Sequence, residues 1–309
     1  MVDLTTAVGA VGLPNPVMCA SGTAGHGAEL GAFVDLAQLG AVVVKSLSAG
    51  PWPGNPAPRV HPLSTGMINS VGLEGPGIAA WAHDELPALR RARARVVVSI
   101  WGRSVEDYAV AADALAKHAP AGTASDPIVA VEINLSCPNL AGKKMFAHDV
   151  GAAADVITAT AGLAYPRWAK LSPNTDALVA VAEACAGAGA DAVTLTNTLL
   201  GLVIDTDSRR PALGGGGGGV SGPGLGPIAV RAVWEVARAM PELPIVGVGG
   251  VHDANSALQL LMAGASAVQV GTATFADPRA PQRVLDDLTR WCHDHGVTSV
   301  AELCGASHR

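Results

Sequence analysis

The chain has 309 residues, 49% of them hydrophobic and only 15% charged, with a formal net charge of −6. That balance excludes a disordered chain, and the acidic net charge gives no electrostatic footprint for nucleic acid. Five cysteines, an odd number at wide spacings and with no CxxC, argue against a disulfide framework or a zinc site and predict a reducing, cytoplasmic setting. The N-terminal stretch reads as no signal peptide, and no uncharged apolar run reaches the roughly 18 residues of a membrane helix.

In chain order, short β-branched apolar runs recur. They are PVMCAS (16–21), AVVVKS (41–46), RVVVSIW (95–101), IVAVEINLS (128–136), RWAKLS (167–172), DAVTLTN (191–197), PIVGVGG (244–250) and SAVQVGT (266–272). Amphipathic helices are predicted at 28–38, 104–118, 150–162, 175–188, 226–239, 253–263 and 278–294. Asp253 and Asp277 read as N-caps, and Pro278 suits a first helical turn. Strands buried on both faces appear as continuous apolar runs rather than as alternation. Eight such runs with helices between most of them predict an α/β fold of the (β/α)8 TIM-barrel type, one domain over 1–309 with inserted active-site loops. A doubly wound open sheet is the rival on pattern alone. Two long excursions interrupt the repeat, 47–80 and 198–225, and loops of that length are usually lids or binding loops.

Chemistry-bearing residues gather at the predicted strand ends. Gly249-Gly250 and Gly271-Thr272 follow the last two strands, where barrels commonly bind phosphate; tight turns are the plainer explanation. The lysines are few, yet Lys45 and Lys170 both end apolar strands, which suits an anionic pocket or simple snorkelling. Asn69, Asn134, Asn139 and Asn197 offer paired donors and acceptors, as a flat heterocycle would require; singly each is a turn residue. Cys137, in INLSCPN, stands at the rim where catalytic groups of barrels sit, and its position alone leaves reagent and filler open.

Together the ordered motifs resemble the class 1 dihydroorotate dehydrogenases over nearly the whole chain. They are ASG (20–22), VVKS (43–46), GMINSVGLEGPG (66–77), NLSCPN (134–139), KLSPN (170–174), NTLLGLVID (197–205), GGVSGPGLGPIAVR (218–231) and the two glycine pairs. The wording of KLSPN and NTLLGLVID is most similar to subclass 1B. Class 2 relatives place serine where Cys137 stands and carry an N-terminal helical extension not expected here.

The resemblance implies a barrel that holds FMN and oxidises (S)-dihydroorotate to orotate in pyrimidine (UMP) synthesis. Cys137 then matches the catalytic base. Lys45 matches a residue touching both flavin and substrate. Asn69, Ser70, Val71, Gly72, Leu73, Asn134, Asn197 and Thr198 match substrate contacts, and Asn139 joins that amide set. Ser21, Ser46, Ser99, Asn134, Lys170, Thr196, Gly222, Gly249, Gly250, Gly271 and Thr272 match FMN contacts. Lys170 is the candidate for stabilising negative charge on the flavin. The resemblance also implies a homodimer, and a heterotetramer with an FAD and iron–sulfur subunit if NAD+ is the final acceptor. This sequence has neither a cysteine cluster for iron–sulfur ligation nor a GxGxxG fingerprint.

Ser99 stands where relatives often have asparagine, and Gly226 where a lysine commonly precedes the proline. The run Gly214 to Gly219 predicts a floppy approach to the phosphate loop. Two other readings stay open: a flavin domain of the dihydropyrimidine dehydrogenase kind, acting on uracil or thymine, and a non-catalytic phosphate-binding barrel.

Overall fold

The computed structural model describes residues 2–122, 126–136 and 145–309. Its centre is a closed barrel of eight parallel strands. They are β1 (Val17–Cys19), β2 (Val42–Val43), β3 (Val96–Ile100), β4 (Ile128–Asn134), β5 (Arg167–Lys170), β6 (Ala192–Leu195), β7 (Ile245–Val248) and β8 (Ala267–Val270). Each falls inside one of the eight apolar runs, and the closed parallel order removes the doubly wound alternative. β3, β6, β7 and β8 are buried at every position, as strands covered by helices outside and packed side chains inside must be.

The lower lumen is apolar. Met18, Val43, Val97, Ala130, Trp168, Val246 and Ala267 pack together there with Val8, Val11 and Leu13. Those last three come from an antiparallel hairpin, Thr6–Val8 with Val11–Leu13, that plugs the N-terminal end of the barrel.

Helices Val105–His118, Val150–Ala159, Leu178–Gly187, Gly226–Ala239, Ala254–Met262 and Ala280–Asp294 lie within the predicted helical segments. The segment 28–38 differs: it forms two 3-10 turns, Glu29–Ala32 and Leu36–Gln38. The Asp35 side chain accepts from Ala37 N at 3.0 Å, which offers the backbone an alternative to a helix. Asp253 caps its helix through a capping box with Ser256. Asp277 does not act as an N-cap. The last helix starts at Ala280 with Pro281 in its first turn, and Asp277 instead accepts from Arg279 N and pairs with Arg283.

The two long excursions are not independent loops. Leu199–Gly201, Gly218–Ser221, Gly66–Asn69 and Val60–Leu63 form one antiparallel sheet in that order over the C-terminal mouth of the barrel. The last two glycines of the run, Gly218 and Gly219, are therefore packed in a strand. A Cβ at Gly218 would run into Asn69 O, and one at Gly219 into Thr198 Oγ1. At these two positions glycine permits close approach of backbones.

Candidate functional site

β4 and β8 lie opposite each other in the barrel, so a bond between them crosses the lumen. Gln269 Nε2 on β8 donates to Glu132 Oε2 on β4 at 3.1 Å. Lys170 Nζ on β5 reaches Glu132 Oε1 at 3.2 Å, and Ser99 Oγ on β3 donates to the same oxygen at 3.4 Å. This polar layer rests on the apolar lower lumen, and from it Lys170 lines the floor of a pocket of about 820 Å³.

Above the floor the strand ends supply amides and hydroxyls. Asn134 Nδ2 donates to Ser46 Oγ at 3.1 Å, and the Ser46 and Ser99 hydroxyls lie 2.8 Å apart. Ser21 Oγ sits 3.4 Å from Ser46 Oγ. Asn197 Nδ2 donates to Ser136 Oγ at 2.8 Å and to Asn134 Oδ1 at 3.4 Å, while Asn197 Oδ1 accepts from Thr198 N. These bonds fix the orientations of both amides. Thr196 Oγ1 is buried on the pocket wall with no hydrogen-bond partner among the described residues.

Lys45, next to Ser46 in the chain, lines the same pocket and is half-buried. Burial pushes its ammonium below the ordinary lysine range; Glu74 opposes that shift and Arg59 adds to it. Arg59 and Glu74 are themselves ion-paired just outside. Beside them Asn69, Val71, Gly72 and Leu73 carry the pocket wall around the mouth. Leu73 holds φ 61°, a left-handed conformation costing about 1–2 kcal/mol for a residue with a Cβ. Trp52 fixes this turn by donating from Nε1 to Gly72 O at 2.9 Å, and packs edge-on against Trp101 with centroids 5.7 Å apart.

The far end of the pocket is lined by glycine. Gly222, Gly249 and Gly250 all have positive φ, and Gly271 and Thr272 complete the wall. A Cβ on Gly250 would meet Gly226 Cα at 2.5 Å, and one on Gly222 would meet Gly66 Cα at 2.6 Å. Thr272 Oγ1 donates to Ser221 Oγ at 2.7 Å, tying this end to the antiparallel sheet.

The structure thus brings most of the predicted residues to one cavity. Ser70 and Ser99 lie behind its wall, both fully buried, with Ser70 Oγ accepting from Asn55 Nδ2. Cys137 and Asn139 lie outside the described residues. Glu132, Gln269 and Ser136 are the contributors that sequence reading passed over. The first two had a visible signal, a lone carboxylate and a lone amide inside otherwise apolar strands, which need partners once buried.

The fold and this cavity define a (β/α)8-barrel protein with a deep, lysine-bearing pocket at the C-terminal ends of its strands. The family model for dihydroorotate dehydrogenase matches residues 3–291, and the chain belongs to that family. It is 43% identical over 306 residues to the "dihydroorotate dehydrogenase B (NAD(+)), catalytic subunit" of Geobacter sp. (strain M21), with 98% of each chain covered. The proteins of that name from Pelobacter propionicus and Trichlorobacter lovleyi are 43% and 41% identical, again over 98% of each chain. Among the described residues no helix is long and apolar enough to cross a membrane.

Proposed function

We propose that this chain is the catalytic subunit of a subclass 1B dihydroorotate dehydrogenase, oxidising (S)-dihydroorotate to orotate in the cytoplasm for pyrimidine synthesis. The observation carrying this is the single pocket that joins Lys45, Lys170 and three oriented asparagines to a glycine-lined end.

The cavity suits FMN. Its volume of about 820 Å³ is in the range of cofactor sites. The backbone of Gly222, Gly249, Gly250, Gly271 and Thr272, which lines this end, would hold the phosphate. Lys170, Ser21, Ser46, Asn134 and the unpartnered Thr196 hydroxyl would hold the ring system. Bound there, FMN supplies an acceptor for the hydride leaving C6 of the substrate.

The protein's own part is positioning and proton transfer. Asn69, Asn134 and Asn197 with Thr198 hold the amide edges of the pyrimidine, and Lys45 with the backbone of 70–73 holds its carboxylate. The C5 proton goes to Cys137, since a thiol, with an ordinary pKa of about 8.5, acts as a base once ionised. The antiparallel sheet over the mouth limits access of water. Electrons leave to NAD+ through a partner subunit that carries FAD and an iron–sulfur centre, around a homodimer of this chain.

The test is purification followed by anaerobic titration. A yellow flavin band that bleaches with dihydroorotate, and not with dihydrouracil, is the expected result. A protein that stays colourless after incubation with FMN overturns the reading.

A further inference from the structure

Glu132 is fully buried in the middle of β4, and Lys170 shows only 7% side-chain exposure. Burying such a pair removes several kcal/mol of hydration per ion, which good geometry only partly returns. The chain nevertheless gives this carboxylate three donors from three other strands: Lys170 Nζ, Gln269 Nε2 and Ser99 Oγ. Gln269 crosses the lumen to reach it, and Ser99 is held in turn by the Ser46 hydroxyl. Three protein donors hold the Glu132 carboxylate and fix its place in the lumen from several sides.

The order of charges along the barrel axis matters. Lys170 lines the pocket and Glu132 does not. A ligand on the floor therefore meets a cation whose far side is occupied by a carboxylate 3.2 Å away. In a low-dielectric interior the two fields partly cancel at the ligand, and the remainder is what stabilises negative charge there.

We propose that Glu132 is a positioning residue that holds Lys170 Nζ at the pocket floor and tempers its charge, thereby setting the reduction potential of the bound flavin. This rests on the FMN reading above. A flavin gains negative charge on reduction, so an uncompensated lysine would favour the reduced form strongly and slow the passage of electrons onward. With Glu132 behind it, Lys170 orients the ring while leaving the electrons transferable. Gln269 and Ser99 serve the same end by keeping the carboxylate from rotating away.

The test is the midpoint potential of the FMN-loaded protein and of Glu132→Gln, measured by reductive titration against a reference dye. The amide keeps the size of the side chain and removes its charge. The expected shift is to more positive potential, about 30 mV for each tenfold gain in affinity for reduced over oxidised flavin. An unchanged or more negative potential in a folded, flavin-containing variant overturns the proposal, since a purely structural role would not move it upward. If Glu132→Gln does not fold, the comparison is Glu132→Asp, which keeps the charge and the lysine but draws the carboxylate back from Lys170 Nζ. That variant should again have the more positive potential, and failure to rise overturns the proposal. A wild-type protein that binds no flavin fails earlier and separately, by its spectrum.

Discussion

Asn69 and Gly219, 150 residues apart, are register partners in the sheet over the barrel mouth, and Asn69 Nδ2 also donates to Gly219 O at 3.4 Å. This pairing ties the strand before the turn at 70–73 to the strand before the glycine-lined end. A Cβ at Gly219 would strike Thr198, which lines the same pocket. Gly219→Ala should therefore cost about 1–3 kcal/mol, the usual cost of overpacking, and weaken orotate binding at the same time. Urea unfolding and a flavin-perturbation titration with orotate check both effects; a variant normal in both would detach this sheet from binding.

Breaking the floor pair should hurt stability more than removing it whole. Lys170→Met leaves Glu132 buried with only its two neutral donors, and such a loss typically costs about 3–5 kcal/mol. Adding Glu132→Gln to the same chain should recover much of that loss. Denaturant midpoints at unchanged slope read the difference.

Lys45 predicts a pH dependence with a definite sign. Burial lowers its pKa, so its charge is lost at lower pH than that of a free lysine. Below the lowered pKa the folded state carries the full cost of a half-buried ammonium, and that cost is lost progressively as the pH rises from there through the unfolded lysine value of about 10.4. Affinity for an anionic ligand runs the other way, since the ammonium is the binding form. Orotate affinity should fall on the alkaline side from below the ordinary lysine range of about 10.4. Titrations across that range, with Lys45→Met giving a flatter profile, check the assignment.

The thiols should separate cleanly. Burial pushes Cys19 and Cys185 each up to about 12, and raises Cys292 as well. In the native protein at about pH 8, close to the unperturbed thiol value, these three should resist alkylation. Cys137 should be modified, with loss of flavin reduction by dihydroorotate and with protection by orotate. Peptide mapping after a brief exposure to iodoacetamide reads all of this at once.

The barrel strands were legible in the sequence because a parallel strand buried on both faces must be written as an uninterrupted apolar run. Seven of those runs end or turn in the polar and glycine residues that meet at the pocket, so the residue set was readable there too. The helix expected at 28–38 was not secure, because Asp35 has a local backbone partner that composition does not reveal. The N-terminal hairpin escaped notice because its three inward residues matter only once the barrel beneath them is closed.

The glycine run shows the division most plainly. Composition read it as flexibility, whereas the fold uses its last two glycines for close packing against Asn69 and Thr198. Residue identity and local period determined the eight strands and the chemistry at their ends. Tertiary structure alone decided that two distant excursions form one sheet, and that Glu132 meets Lys170 on the neighbouring strand and Gln269 across the lumen. Those pairings link residues tens to more than a hundred positions apart, and their free energy exists only after barrel closure has removed the water between them.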